Sequence, residues 1–242
     1  MLINYNNGMT QVNDLGRREN YVGQKYLIEN YKDIQKNIIK TSNVLRNFGI
    51  SSTVKDVVDK VYYDTDDMFF CRLGITISLN TYKGRPYTDL VVRYEDGDQG
   101  RIKFISDIPD TFIRKVNKKD TISKHFEYIA SVVLELIPNG ISVEPLEMVR
   151  KLKPKLKINK KRERFRVINS NGLKIILSFD QCVYANMAKA KVKLNILELR
   201  LDSPSETAPL FEKFVRDLQI AEYRIIKTQD SDLFIGQDYL DI

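Results

Sequence analysis

Tyr62-Tyr63-Asp64-Thr65-Asp66-Asp67-Met68, followed by Gly74-Ile75-Thr76-Ile77-Ser78-Leu79-Asn80, joins an acidic turn to a strand of alternating polarity. Side chains alternate across a strand, so Ile75, Ile77 and Leu79 share one face and Thr76, Ser78 and Asn80 the other. The reading is of an antiparallel barrel whose polar face looks inward.

The flanking sequence extends this pattern. Downstream, Thr88–Glu95 is a second strand, joined to Arg72–Tyr82 by the turn Lys83-Gly84-Arg85-Pro86. Asp96-Gly97-Asp98-Gln99-Gly100 signals a further hairpin into Arg101–Ser106. Upstream, Tyr21–Ile28 is a short strand, and Asp33–Phe48 sets Ile34, Ile38, Ile39, Leu45 and Phe48 at helical spacing before Gly49. The middle of the chain is helical at Thr121–Leu136 and Val143–Leu152, with Pro154 as the break. Strands resume at Lys157–Val167, Leu173–Ala185 and Lys191–Asp202, with Asn169-Ser170-Asn171-Gly172 as the first turn. Ser203-Pro204-Ser205-Glu206 is a capping box opening a helix, and a last strand falls at Ala221–Thr228. The expected fold is α+β, an antiparallel eight-stranded tunnel-like barrel with covering helices. The expected organisation is a loose arm at 1–18, one barrel domain at 19–229 and an acidic tail at 230–242 suited to docking.

The later strands carry the charge. Arg150, Lys151, Lys153, Lys155, Lys157, Lys160, Lys161, Arg162, Arg164 and Arg166 fall within 17 residues, opposed only by Glu163. With Phe165 and Val167 on the apolar side, Lys160, Arg162, Arg164 and Arg166 share the opposite face. The same alternation aligns Lys174, Ser178 and Asp180 against Leu173, Ile175, Leu177 and Phe179. It also aligns Glu198, Arg200 and Asp202 against Leu197, Leu199 and Leu201. Four cations about 6.6–7 Å apart along one strand face repel one another unless an anion sits among them, and arginine forks fit phosphate oxygens.

A chain of 242 residues, 43% hydrophobic and 29% charged with a net charge of +7, is ordinary globular material biased toward polyanionic partners. No apolar run approaches the roughly 18 residues of a membrane span, and Met1–Gly16 lacks a signal-peptide pattern. That places the chain in the cytoplasm, or within a virion or other assembly. Cys71 and Cys182 have no CxxC spacing and only His125 as an imidazole partner, so they read as buried reduced thiols. His125, on a helix beside Phe126, reads as structural.

In order, these elements resemble the CYTH, or triphosphate tunnel, superfamily, which includes polyphosphate polymerase domains. Tyr62-Tyr63-Asp64-Thr65 resembles the family's Tyr-Phe-Asp-Thr signature. The resemblance implies phosphate-binding roles for Lys25, Arg93, Arg101, Lys160, Arg162, Arg164 and Lys227, and metal-binding roles for Asp180 and Glu198, with Asp64 or Asp202 in support. It also exposes departures. The family's Glu-x-Glu-x-Lys stands here as Tyr21-Val22-Gly23-Gln24-Lys25, and its Leu-Arg-Ile-Arg as Ile77-Ser78-Leu79-Asn80. Tyr21, Gly23, Lys103, Ile105 and Arg200 all stand where the family has acids.

Metal-dependent hydrolysis needs hard oxygen donors for Mg or Mn, and most of those donors are gone. The expectation is a catalytically degenerate protein that binds a polyanion (triphosphate, polyphosphate or nucleic acid) or serves as an assembly module with protein partners. The alternatives are a metal-dependent triphosphatase acting on inorganic triphosphate or an RNA 5′ end, and a structural component of a phage or other assembly.

Overall fold

In a computed structural model, the described residues are 17–96, 100–109, 122–136, 144–201, 207–228 and 231–240. Their strands are β1 (Arg17–Ile28), β2 (Phe48–Asp64), β3 (Ile75–Tyr82), β4 (Tyr87–Asp96), β5 (Gly100–Pro109), β6 (Lys153–Asn169), β7 (Lys174–Asn186), β8 (Lys191–Leu201) and β9 (Ile225–Lys227). They form one nine-stranded sheet in the order β5-β4-β3-β2-β6-β7-β8-β1-β9, and β5 also pairs with β1. The pairings β3–β4, β6–β7, β7–β8, β1–β8 and β1–β9 are antiparallel, as expected. The expected count of eight strands is corrected to nine, the short β9 lying beside β1. The helices are α1 (Tyr31–Thr41), α2 (Phe69–Arg72), α3 (Phe126–Leu136), α4 (Pro145–Arg150), α5 (Thr207–Ile220) and α6 (Asp232–Tyr239).

Contacts group the chain into two compact units. One holds Val61–Asp96 and Ile102–Lys155 with the segment up to Glu19; the other holds Asn20–Lys60, Gly97–Arg101 and Leu156–Ile242.

Within the first unit, β3 and β4 form the expected hairpin, with Thr81 opposite Thr88 and Gly84 at the turn in the left-handed region, φ 85°. Ile75, Ile77, Leu79, Leu90 and Val92 pack with Ile129, Val132 and Val133 of α3 and Val149 of α4. Thr76, Ser78 and Asn80 on the other face of β3 are also buried, so both faces are covered and the polar one is not a solvent face. Arg72 ends a short helix here rather than starting a strand, and Asp64 ties that helix to the end of β2. Its carboxylate accepts hydrogen bonds from the backbone amides of Thr65, Phe70 and Cys71 at 2.7, 3.0 and 2.8 Å.

Within the second unit, β6, β7, β8 and β1 lie side by side. Their apolar face carries Val167, Ile175, Leu177, Phe179, Leu197, Leu199, Leu201, Tyr26 and Ile28, covered by Ile34 and Ile38 of α1 and by Phe211, Phe214 and Leu218 of α5. Each fully buried large apolar side chain contributes about 1.5–3 kcal/mol. Phe179 meets Phe165 and Tyr31 edge to face, with centroids 5.8 and 6.0 Å apart. The expected helix over Asp33–Phe48 stops at Thr41. Asp217 of α5 binds the turn that follows, accepting hydrogen bonds from Ser42 Oγ, Asn43 Nδ2 and the Val44 amide at 3.2, 3.3 and 3.1 Å. Leu45 and Phe48 reach the same core, from the turn and from β2. Asn169 Oδ1 accepts hydrogen bonds from the amides of Asn171 and Leu173, closing the β6–β7 turn as its sequence predicts. The helix expected before Pro154 ends at Arg150, and Pro154 is the second residue of β6.

Candidate functional site

The face of β6, β7, β8 and β1 opposite that apolar layer carries the charge, and the register decides who meets whom. Arg162 stands across from Asp180, Arg164 from Ser178, Ser178 from Glu198, and Glu198 from Lys25. Arg162 holds both oxygens of Asp180 in a bidentate fork, Nε to Oδ1 at 2.7 Å and Nη2 to Oδ2 at 2.8 Å. Its Nη2 also lies 3.5 Å from Glu198 Oε2, and Arg200 Nη2 donates to that oxygen at 3.1 Å. Lys160 Nζ lies 3.0 Å from Asp180 Oδ2. Lys160, Arg162, Asp180 and Glu198 are all buried.

Sequence reading missed the centre of this network. Asp232 receives Lys25 Nζ at 2.5 Å, Lys60 Nζ at 3.1 Å and Lys160 Nζ at 3.0 Å, and is itself 1% exposed. It begins helix α6, in the segment expected to be an acidic tail. Ser231 caps that helix by accepting a hydrogen bond from the Leu233 amide, and Leu233, Ile235 and Gly236 are buried. The available signal was a serine cap directly before Leu233, Phe234 and Ile235 in an otherwise acidic end. Lys60 opens the strand expected at Lys60–Asp64, but the part of β2 before it, exposed throughout 49–55, shows no apolar period that would set which face Lys60 takes.

The remaining expected residues fall elsewhere. Arg164 is half-buried on the same face as Arg162, and Arg166 is exposed. Lys227 is exposed on β9, in an open groove with Leu27 and Thr228. Arg93 is buried on β4 opposite Thr76, in the first unit. Arg101 lies in β5, with its side chain outside the described residues, as is Tyr21's in β1; Asp202 also lies outside them. Asp64, a supporting metal ligand by resemblance, spends its carboxylate on the backbone amides of Thr65 and of Phe70 and Cys71 in α2. Cys71 and Cys182 are free and buried, and burial pushes the Cys182 thiol up to about 12. Burial also lowers the pKa of His125.

Electrostatics follow from this packing. Burial works against the charge of Asp180, but Arg162 and Lys160 hold its pKa down to about 2. Burial likewise opposes Asp232, and Lys160, Lys25 and Lys60 hold it well below the usual carboxylate range. For Lys160 the same burial is outweighed by Asp180 and Asp232, which raise its pKa. Arg164 is pushed the other way, by burial and then by its neighbours Arg162 and Arg200.

A divalent cation does not fit this donor set. Both oxygens of Asp180 are engaged by a guanidinium, one of them also by an ammonium, and Glu198 faces two arginines. Among the described residues no group of three or more His, Cys, Asp or Glu side chains is placed to hold a metal ion. The carboxylates act as counter-ions to cations, a role opposite to metal ligation.

No protein-family model matches the chain, and no curated protein matches it in sequence. Solved structures do. A candidate adenylate cyclase from Bacillus halodurans superposes with a TM-score of 0.53 at 11% identity, over 93% of this chain and 99% of that one. A candidate adenylyl cyclase from Hippeastrum, whose dominant activity is that of a triphosphatase, superposes with a TM-score of 0.54 at 12% identity, over 90% of this chain and 95% of that one. At such identities the likeness establishes the fold. The nine-stranded antiparallel sheet with its helices thus has the CYTH-like tunnel fold of these two structures.

Proposed function

We propose that the charged face of β6, β7, β8 and β1 binds an oligophosphate anion and does not hydrolyse it by metal assistance. The observation that carries this reading is the concentration of buried and part-buried cations on one sheet face. Among the described residues Lys25, Lys60, Lys160 and Arg162, all buried, and the part-buried Arg200 gather on this face and form ion pairs with Asp180, Glu198 and Asp232. Arg164 adds a further guanidinium beside Arg162 and Arg200. Buried like charges are costly, and a polyanion relieves them. Arg164 Nε and its cross-strand neighbour Ser178 Oγ are buried and, among the described residues, without a hydrogen-bond partner, two donors on the same face. The Hippeastrum protein's triphosphatase activity supports the choice of an oligophosphate, through fold likeness alone.

Calorimetric titration with tripolyphosphate at low salt tests the reading. Heat of binding is expected, weakened by Arg164→Ala and falling steeply as salt is raised. No binding at low salt would overturn it. A parallel assay of phosphate release with Mg²⁺ or Mn²⁺ is expected to give none. Release abolished by Asp180→Ala with Glu198→Ala would instead establish the metal-dependent triphosphatase.

A further inference from the structure

We infer that Asp232 is a built-in occupant of an anion site made by Lys25, Lys60 and Lys160, so that helix α6 and a phosphoryl group of the ligand compete for the same three lysines. This rests on the oligophosphate reading above.

The geometry is that of a site rather than of a simple ion pair. Three ammonium groups from three strands, β1, β2 and β6, converge on one carboxylate. Lys160 reaches both of its oxygens, at 3.2 and 3.0 Å, while Lys25 takes Oδ1 and Lys60 Oδ2. One cation would neutralise an aspartate; here three ammonium groups meet it, one of them, Lys160, shared with Asp180. Such a cluster suits a terminal phosphoryl group, which presents three acceptor oxygens and close to two negative charges. The lysines are 2%, 7% and 0% exposed, so whatever anion meets them is desolvated and tightly held.

The occupant belongs to a small element. Helix α6 has eight residues, fewer than an isolated helix needs to persist in water, so its order depends on contacts with the rest of the unit. Those contacts include the three lysines, the buried Leu233, Ile235 and Leu240, and the approach of Gly236 to Leu156 of β6. A Cβ added at Gly236 would stand 2.5 Å from Leu156 Cδ2, so the helix packs closely against that side chain of β6, which a larger residue would have to displace. The carboxylate is thus delivered to the lysines by a peripheral element, whereas Asp180 and Glu198 are fixed in central strands.

Competition is reciprocal: a ligand that takes the lysines must release the helix, and weakening the helix's hold must tighten the ligand. Asp232→Asn keeps the shape of the side chain and removes its charge. Its affinity for tripolyphosphate is expected to exceed the parent's by about tenfold or more. Glu212→Gln, an exposed change of the same charge on α5, is expected to leave affinity at the parent's value. Equal or weaker binding by Asp232→Asn, with the parent binding, would overturn the competition and leave the oligophosphate reading standing. Binding by neither protein would overturn that reading and the inference with it. Should Asp232→Asn fail to fold, hydrogen exchange on the parent decides. Saturating tripolyphosphate is expected to speed exchange of the α6 amides, and slowed or unchanged exchange would show that the helix stays on the lysines.

Discussion

Asp180 shows how a residue can match a family position and serve a different chemistry. Its place on β7 was legible, because Leu177 and Phe179 fix the apolar face and leave Asp180 on the other. Its partner was legible too, since Arg162 lies on the charged face of the neighbouring strand. What alternation cannot supply is whether a carboxylate faces a cation or a metal. Asp180→Ala would leave Arg162 and Lys160 buried with one counter-ion fewer, a loss of about 3–5 kcal/mol in stability. Chemical denaturation measures it, and a loss below about 1 kcal/mol would mean that water enters the network. The pH dependence carries the same sign. A carboxylate whose folded pKa is depressed stabilises the fold above its unfolded value near 3.9 and loses that contribution as pH falls through the folded value. For Asp180 the window runs from about pH 4 to about 2, and Asp232, depressed by its three lysines, acts in the same direction. Thermal midpoints are expected to drop steeply over that range.

Among the elements, those with an uninterrupted pattern were read closely and those ended by a distant side chain were not. Strands β6, β7 and β8 follow alternation and marked turns. Helix α1 was read too long because Leu45 and Phe48 continue its apolar spacing, yet Asp217, some 170 residues away in sequence, captures the turn at Ser42–Val44. Nothing local announces that contact. Asp217→Ala is expected to cost about 1–3 kcal/mol, since the Val44 amide and the buried Ser42 hydroxyl lose their acceptor. Amide exchange confined to the α1–β2 turn would rise if the cost is local. Helix α6 was hidden for a related reason. Eight residues give little period to read, and the carboxylate that matters finds its partners on three strands.

On the scale of the whole molecule, the net charge of +7 biased the reading toward polyanions but could not locate a site, because most of the basic run from Arg150 to Arg166 is exposed. Exposed cations are solvated and bind weakly; Lys160 and Arg162 differ by being buried and already committed to carboxylates. A ligand therefore gains by replacing the Asp232 carboxylate among cations already held in place, and little side-chain order has to be created on binding. Binding to the folded state alone must then stabilise it. At a tripolyphosphate concentration about a hundred times the dissociation constant, the gain is about 2.7 kcal/mol. For a chain of this size each kcal/mol raises the thermal midpoint by about 2–4 °C. Asp232→Asn is expected to start from a lower midpoint than the parent, because three lysines lose a counter-ion, and to show the larger rise with ligand. A smaller rise in the variant than in the parent would mean that Asp232 supports the ligand rather than standing in its place.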